Sequence, residues 1–578
     1  MKIRIMLSVA ALVAATGGVF AQEPARTYTP VTAEMVLKPN PGDWLQWRRT
    51  VDNHGYSPLD QINRDNVSDL ELAWGWAVAE TGQHEIVPII HDGIMFLGTN
   101  MNTVEALDAV TGDRLWVYKH QRPTFEGAYH ENQARRQKNT VALWDDKVIL
   151  TTADSKLIAL EALTGKVVWE TQVNEWEKGY SFTAGPLIAD GKIFTFTSGC
   201  SIVGTAGACW VTAHDANTGE ELWRFNTLDS NVPEWDASWN GVPVENRWGA
   251  SVWATGSYDP ELDMIFFGTA MPVPYAEVTR GTGDGRVAPT NSTIALKADT
   301  GEMVWWYQHQ PRDNWDMDSP FERMIITTEV DGQPRKLIVS TPGKNGVTFG
   351  LDAATGEYVW HEETVYNNQF GGIDEATGLV KDTLPDVRPT EIGQRVTFCP
   401  AIAGGRLWQA TAYSEKTGLF YLPASNLCQT SEPQPFELVS TGQAMGLFKS
   451  FGNPLAPNAE GVGSLHALKV GTGDHAYDVQ QGPRFTSSVL ATAGGLLVVG
   501  DADRYVHFKN DETGETIWKT RLHAPIGGSP VTYEVDGVQY IAIAAGSSNQ
   551  THPAQTPGLQ VPAQGANAVF VFRLRSND

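Results

Sequence analysis

One short repeated pattern constrains this 578-residue chain more than any other feature. An apolar strand runs into a turn built on Thr-Gly, and an aromatic residue follows shortly after. The copies read "ALDAVTGDRLW" to Trp116, "ALEALTGKVVW" to Trp169, "AHDANTGEELW" to Trp223, "ALKADTGEMVW" to Trp305, "GLDAATGEYVW" to Trp360, "ALKVGTGDHAY" to Tyr477 and "FKNDETGETIW" to Trp518. Each has the chemistry of a β-hairpin: alternating apolar residues, a tight Asp/Thr/Gly turn, and an aromatic on the return strand. Gly112, Gly165 and Gly219 recur roughly 53 residues apart, the length of one four-stranded propeller blade. Wider intervals after Gly219 and Gly356 leave room for insertions and for a further blade whose motif has worn away.

Length alone would suggest several domains, but a repeat overrides that prior. There is no helical heptad pattern, so the expected fold class is all-β: one large β-propeller, with each repeat aromatic packed between neighbouring blades. The C-terminal "NAVFVFRL" reads as a strand that pairs with "LELAWGW" (70–76) and closes the ring, leaving no free sheet edge.

The ends and the charge narrow the setting. Lys2 and Arg4 precede "IMLSVAALVAATGGVFA", an apolar stretch ending in small residues. It reads as a signal peptide, residues 1–21, removed near Ala21, ahead of a propeller domain over 22–578. No later apolar run is long enough to span a bilayer, so the expected location is the periplasm. The formal net charge of -25 argues against nucleic acid as a partner. Four cysteines in an exported chain suggest two disulfides, and proximity pairs Cys200 with Cys209 and Cys399 with Cys428.

A second short stretch raises a chemical question. "PRDNWDMDSP" (311–320) places Asp316 and Asp318 two residues apart. On an extended strand, alternate residues point the same way, so both carboxylates would aim at one spot. On their own they fit a metal site, an acid–base site or a solvated rim.

The opening "GDWLQWRRTVDNHGYSPLDQINRDNVSDLELAW" and the TGxxxW turns together resemble the quinoprotein alcohol dehydrogenases, eight-bladed propellers that use pyrroloquinoline quinone (PQQ). The likeness runs from about residue 43 to the C-terminus. It implies that Glu85 in "HEIVP" and Thr152 in "LTTADSKLIAL" contact the quinone. Trp253 in "SVWATGSYDPELDMIFFGT" would stack beneath the PQQ ring, and Lys344 in "PGKNGVTFGLDAATG" would reach the C4/C5 oxygens. Asp316 in "DNWD" would be the catalytic base. Lys138, clustered with Arg135 and Arg136, stands at the right stage of the chain to meet PQQ carboxylates. The span from "FCPA" to "NLC" matches the family's disulfide, Cys399 to Cys428.

The departures matter as much. No vicinal cysteine pair occurs in "HENQARRQKNTVALW". Ser201 stands where the family has a metal-binding glutamate, and Met271 where it has a metal-binding asparagine. Leu407 and Thr486 replace an asparagine and a tryptophan. The Cys200–Cys209 loop resembles the sorbose dehydrogenase branch, and no C-x-x-C-H haem motif occurs.

The resemblance implies a PQQ- and metal-dependent dehydrogenase that oxidises a primary or secondary alcohol, with hydride passing to the quinone C5 and Asp316 as base. The metal would be Ca²⁺, or a lanthanide, with Asp316 and Asp318 as ligands; Asp318 would restore the carboxylate lost at Ser201. The reshaped pocket suggests a sugar, a polyol or a bulky polycyclic alcohol as substrate, with a soluble cytochrome c as electron acceptor. The alternative is a non-catalytic propeller scaffold of the cell envelope, which shares the repeat turns but binds no cofactor.

Overall fold

The computed structural model describes residues 26–78, 83–123, 140–201, 203–436, 448–546, 559 and 567–575. The expected signal peptide and Lys138, with Arg135 and Arg136, lie outside the described residues.

Among the described residues the strands form ten sheets: eight blades, seven of four strands and one of five, and two small sheets of two and three strands outside them. Blade 1 runs from Ile89–His91 to Arg114–Lys119, blade 2 from Ala142–Trp144 to Val167–Gln172, and blade 3 from Leu187–Ala189 to Glu221–Asn226. Blade 4 runs from Ser257–Asp259 to Met303–Gln308, blade 5 from Met324–Val330 to Tyr358–Glu363, and blade 6 from Ala412–Ser414 to His475–Gln481. Blade 7 runs from Leu490–Thr492 to Thr516–Arg521 and carries the short fifth strand Tyr56–Ser57. Blade 8 combines Val531–Val535, Val538–Ala545 and Ala568–Leu574 with Leu70–Ala77 as its outer strand. The register of that last pair runs from Leu70↔Leu574 to Ala77↔Ala568. The ring is thus closed by both ends of the chain, as the two terminal strand patterns implied.

The repeat works between blades. Gly301 adopts φ +73°, and a Cβ there would sit 2.6 Å from the Trp223 ring of the preceding blade. Only glycine combines that left-handed backbone with so close an approach. The indole N–H of Trp223 donates to Ala298 O in the same turn at 2.9 Å. Trp116 donates likewise to Ala162 O, Trp305 to Ala353 O and Trp360 to Val470 O, at 2.9, 3.0 and 3.1 Å. In blade 6 the Tyr477 hydroxyl substitutes, donating to Asp511 O at 3.1 Å. Blade 8 is the worn copy: it lacks the Thr-Gly turn, yet its outer-strand Trp74 still donates to Ala109 O of blade 1 at 3.2 Å.

Residues 42–55 walk around the central axis, bonding the innermost strands in order. Trp44 pairs with Ile90 of blade 1, Leu45 O accepts from Leu143 N and Val51 O from Tyr258 N. Asp52 O then accepts from Ile325 N, His54 O from Tyr413 N, and Gly55 O from Ala491 N. This segment satisfies inner-strand groups that have no neighbour within their own sheet. Arg48, fully buried, donates to Thr411 O and Val489 O at 2.7 Å each.

In blades 1 to 7 the two tight hairpin turns face one end of the ring, as does the single hairpin turn of blade 8. The loop between the second and third strands and the link from blade to blade face the other. Glu85, Trp253, Asp316 and Asp318 lie on inter-blade links, while Thr152, Ser201, Met271 and Lys344 lie on second-to-third-strand loops. All of them therefore belong to the same end.

Candidate active site

The segment carrying Asp316 and Asp318 is not a strand, contrary to the extended reading. It is an irregular link, and Asp316 has φ +67°, a left-handed conformation that aspartate tolerates better than most residues. The buried Asp313 organises it. Its carboxylate accepts the N–H groups of Trp315 and Met317 at 2.8 and 2.7 Å, and Asn291 Nδ2 at 2.9 Å. Farther on, Arg323 donates to Ser319 O at 2.9 Å and to Thr293 Oγ1 at 3.0 Å. Side chains thus do the work that a strand partner would otherwise do.

Lys344 arrives on the turn after Gln333–Ser340, which packs so tightly on this link that a Cβ at Gly343 would lie 2.5 Å from Ser319 Oγ. The Lys344 amide donates to Asp318 O at 3.0 Å. Its ammonium lies 2.9 Å from Asp316 Oδ1 and 2.7 Å from Asp318 Oδ2. All three side chains are buried. The two carboxylates do converge, therefore, through one shared cation rather than through strand alternation.

The electrostatics follow from one positive charge between two negative ones. Burial pushes the Asp316 carboxyl well above the ordinary carboxylate range; Lys344 opposes this and Asp318 reinforces it. Burial alone would lower the Lys344 ammonium, but Asp316 and Asp318 hold it above its usual value. With both carboxylates ionised the trio carries one net negative charge in a buried position, and an added cation favours that ionised form.

Met271 joins the same cluster. Its side chain cannot replace an asparagine ligand, but its backbone N–H donates to Asp318 Oδ1 at 3.2 Å. Trp253, half-buried, packs with Met271 and meets Phe321 in a T-shaped contact at 5.3 Å. The Arg406 guanidinium stands 4.9 Å from the Phe321 ring centre and pairs with buried Glu322. Glu322 also accepts from Thr411 N and Oγ1 at 2.8 and 2.6 Å, and Arg406 donates to Thr341 O at 2.7 Å. This buried pair thus contacts both Phe321, at the end of the Asp316 link, and Thr341, ahead of the Lys344 turn.

The remaining candidates are less directly joined. Glu85 is buried at the entrance to blade 1. The Thr152 hydroxyl accepts Lys156 N–H at 2.9 Å, so the turn itself employs that side chain. Ser201 is buried beside Cys200, whose carbonyl accepts Gly249 N–H at 2.8 Å. Both disulfides are formed, Cys200–Cys209 and Cys399–Cys428, and both brace loops at this end. Phe398, next to Cys399, packs 6.3 Å from Trp315. Asp313, Arg323, Glu322 and Arg406 were not singled out from the sequence; the one signal for Asp313 is its place ahead of "NWDMD", where a short acceptor side chain can bond following amides.

Trp253 packs against a buried apolar cluster. Trp248 and Phe436 approach at 5.9 Å, Tyr275 stacks on Phe448 at 6.2 Å, and Met271 and Ile402 belong to the same cluster.

Comparison with known proteins gives the family. The family model described as PQQ: Glucose/ethanol/alcohol dehydrogenase, beta-propeller domain, matches residues 44–369 and 459–541. The dehydrogenase subunit of the alcohol dehydrogenase (quinone) of Komagataeibacter europaeus is 33% identical over 539 residues, spanning 88% of this chain and 72% of its own. The structure of quinohemoprotein alcohol dehydrogenase ADHIIG from Pseudomonas putida HK5 superposes with a TM-score of 0.84 at 28% identity, over 95% of this chain and 82% of that one. A europium-containing methanol dehydrogenase superposes with a TM-score of 0.83 at 25% identity, over 94% of this chain and all of its own (100%). This chain belongs to the PQQ-dependent alcohol dehydrogenases.

Proposed function

We propose that the chain oxidises a bulky, largely apolar alcohol, with Asp316 as the general base and Asp316 and Asp318 as the carboxylates that hold the metal. The observation that carries this is the buried Lys344 between the two aspartates, 2.9 and 2.7 Å away. The residues fit the groups the family uses: a hard cation suits a carboxylate pair with net negative charge, and Trp253 offers an aromatic face. When bound, PQQ supplies a two-electron acceptor and the metal a Lewis acid.

The chain's own residues would then act as follows. Asp316 takes the hydroxyl proton of the substrate as hydride leaves the same carbon, giving a carbonyl. Lys344 donates to both carboxylates and fixes their orientation. The Met271 amide holds one oxygen of Asp318, leaving the aspartate aimed at the cluster. Contacts by Glu85, Thr152 and Lys138 with the cofactor are part of the same proposal, on the strength of their motif positions.

The apolar cluster of Trp248, Met271, Tyr275, Phe436, Phe448 and Ile402 packed with Trp253 supports an aryl or fused-ring alcohol over a sugar. Calcium is the proposed ion; the europium-containing neighbour makes a lanthanide the comparison to run. Export to the periplasm and a soluble cytochrome c acceptor complete the reading, supported by the pattern of residues 1–21 and by the acidic net charge of -25.

The test is dye-linked oxidation by purified protein with PQQ, run with calcium, lanthanum or chelator, over sugars, short alcohols and fused-ring secondary alcohols. Activity should need PQQ and one metal, with kcat/KM highest on the fused-ring substrates. Asp318→Ala should reduce metal-dependent activity by about 100-fold, in the range of losing a pre-organised charged group. Preference for sugars would overturn the apolar reading, and full activity in Asp318→Ala would remove that residue from the metal.

A further inference from the structure

On the third and fourth strands of blade 6, His466, His475 and Asp478 converge. One ligand atom from each lies within 4.8 Å of the others, and this is the one such group of three among the described residues. His466 Nδ1 and His475 Nδ1 each lie 2.7 Å from Asp478 Oδ1. The opposite ring nitrogens are also engaged: His466 Nε2 with Ser464 Oγ at 3.0 Å, and His475 Nε2 with Glu362 Oε1 at 3.1 Å. Glu362 comes from the outer strand of blade 5. Two imidazoles that present one nitrogen to a common point, each with the other nitrogen tied to an oxygen, form the arrangement typical of metal-binding histidines.

The sequence repeat provides an internal control. His466 stands opposite Asp478, and His475 opposite Leu468, across a bulged pair of strands. The same three positions hold Ile158, Val167 and Glu170 in blade 2, and Thr212, Glu221 and Arg224 in blade 3. Those sets make packing and ion-pair contacts, so the hairpin does not require ligand-type side chains here.

We propose that His466, His475 and Asp478 bind a zinc-type divalent ion that clips blade 6 to blade 5 through Glu362. Imidazole and carboxylate donors suit zinc. Widening the 2.7 Å separations by under about 1 Å admits an ion at ~2.0–2.2 Å from each ligand. The side chains of His475 and Asp478 are 28% and 43% exposed, which leaves a coordination position open to water and gives the ion a path in from solvent. His466 also lines an open cleft of about 400 Å³ with Glu363, Tyr366 and Asn458.

The test uses the full chain loaded with PQQ and calcium. Zinc is titrated calorimetrically, with further calcium as control, into wild type, His475→Ala and Asp478→Asn, and melting is followed with and without zinc. One saturable zinc equivalent in wild type, at least tenfold weaker in both variants, with zinc-dependent melting stabilisation only in wild type, is the expected result. Unchanged dye-linked activity in the zinc-free variants shows that they remain folded. Absence of saturable zinc binding in wild type, or equal binding by the variants, overturns the proposal and leaves an ion-paired cluster.

Discussion

The two ends of this propeller are built on opposite plans. At the turn end, seven hairpins carry nearly the same sequence, and each turn glycine meets the aromatic of the preceding blade in the same way: Gly301 on Trp223, Gly356 on Trp305, Gly514 on Tyr477. At the site end no two connections are alike. One link is fixed by the Asp313 carboxylate, one loop is closed by Cys200–Cys209, and another is held by the Arg406–Glu322 pair. Repetition serves packing, where one solution fits every blade. Chemistry needs different side chains converging on one point, so it is placed where the blades are free to differ.

This contrast separates stability from turnover, and mutation can break the separation. Trp305→Ala removes a buried ring and its bond to Ala353 O. It should destabilise by about 3–5 kcal/mol, as large aromatic truncations do, while kcat per folded molecule stays near wild type. Denaturant unfolding and activity at low temperature check both halves. A comparable loss of kcat in the folded protein would show that the turn end reaches the site.

Arg406→Met tests the reverse case, a residue that supports both. It leaves Glu322 buried at 1% side-chain exposure without its cation, and removing one partner of a buried pair is destabilising by roughly 3–5 kcal/mol. Phe321 and Thr341 lose their support too, so activity should fall along with the melting temperature. The double variant Arg406→Met/Glu322→Leu should recover stability more than activity.

Much of the turn end was legible in the sequence, and the reason is physical. A left-handed glycine under an indole tolerates no other residue, so the requirement recurs visibly in every copy. The strand pair that closes the ring was legible from alternation alone. At the candidate site the Asp316 and Asp318 pair stood out in its own stretch, while Lys344 entered only through family likeness: the three carry no periodic signal, and the two aspartates converge through a lysine almost thirty positions later in the chain. The extended reading of 311–320 failed because the side chain of Asp313 supplies the hydrogen bonds that a neighbouring strand would. Met271 looked like a lost ligand, yet its backbone N–H reaches Asp318 whatever the side chain. The circuit of residues 42–55 around the axis was hidden for the same reason, since its contacts are mostly backbone to backbone.

A smaller effect sharpens the electrostatic side. In the protein stripped of metal and PQQ, burial raises Asp316 above its ordinary range. The folded state then holds a proton that the unfolded state has released, so stability falls as pH rises from the ordinary aspartate range through the raised one. The slope is at most ~1.4 kcal/mol per pH unit for one proton. Melting curves across that window should show it in wild type and lose it in Asp316→Asn; an unchanged slope in the variant would place the proton elsewhere.

The most direct measurement compares wild type with Asp316→Asn on the same preparations, recording bound PQQ and bound metal alongside dye-linked turnover of the best alcohol. Asp316→Asn should still bind PQQ while kcat falls by ~10²–10⁴, the range expected for a general base. Wild-type kcat in a variant that carries PQQ and metal would contradict the assignment of Asp316 and move the base to another residue of the site end.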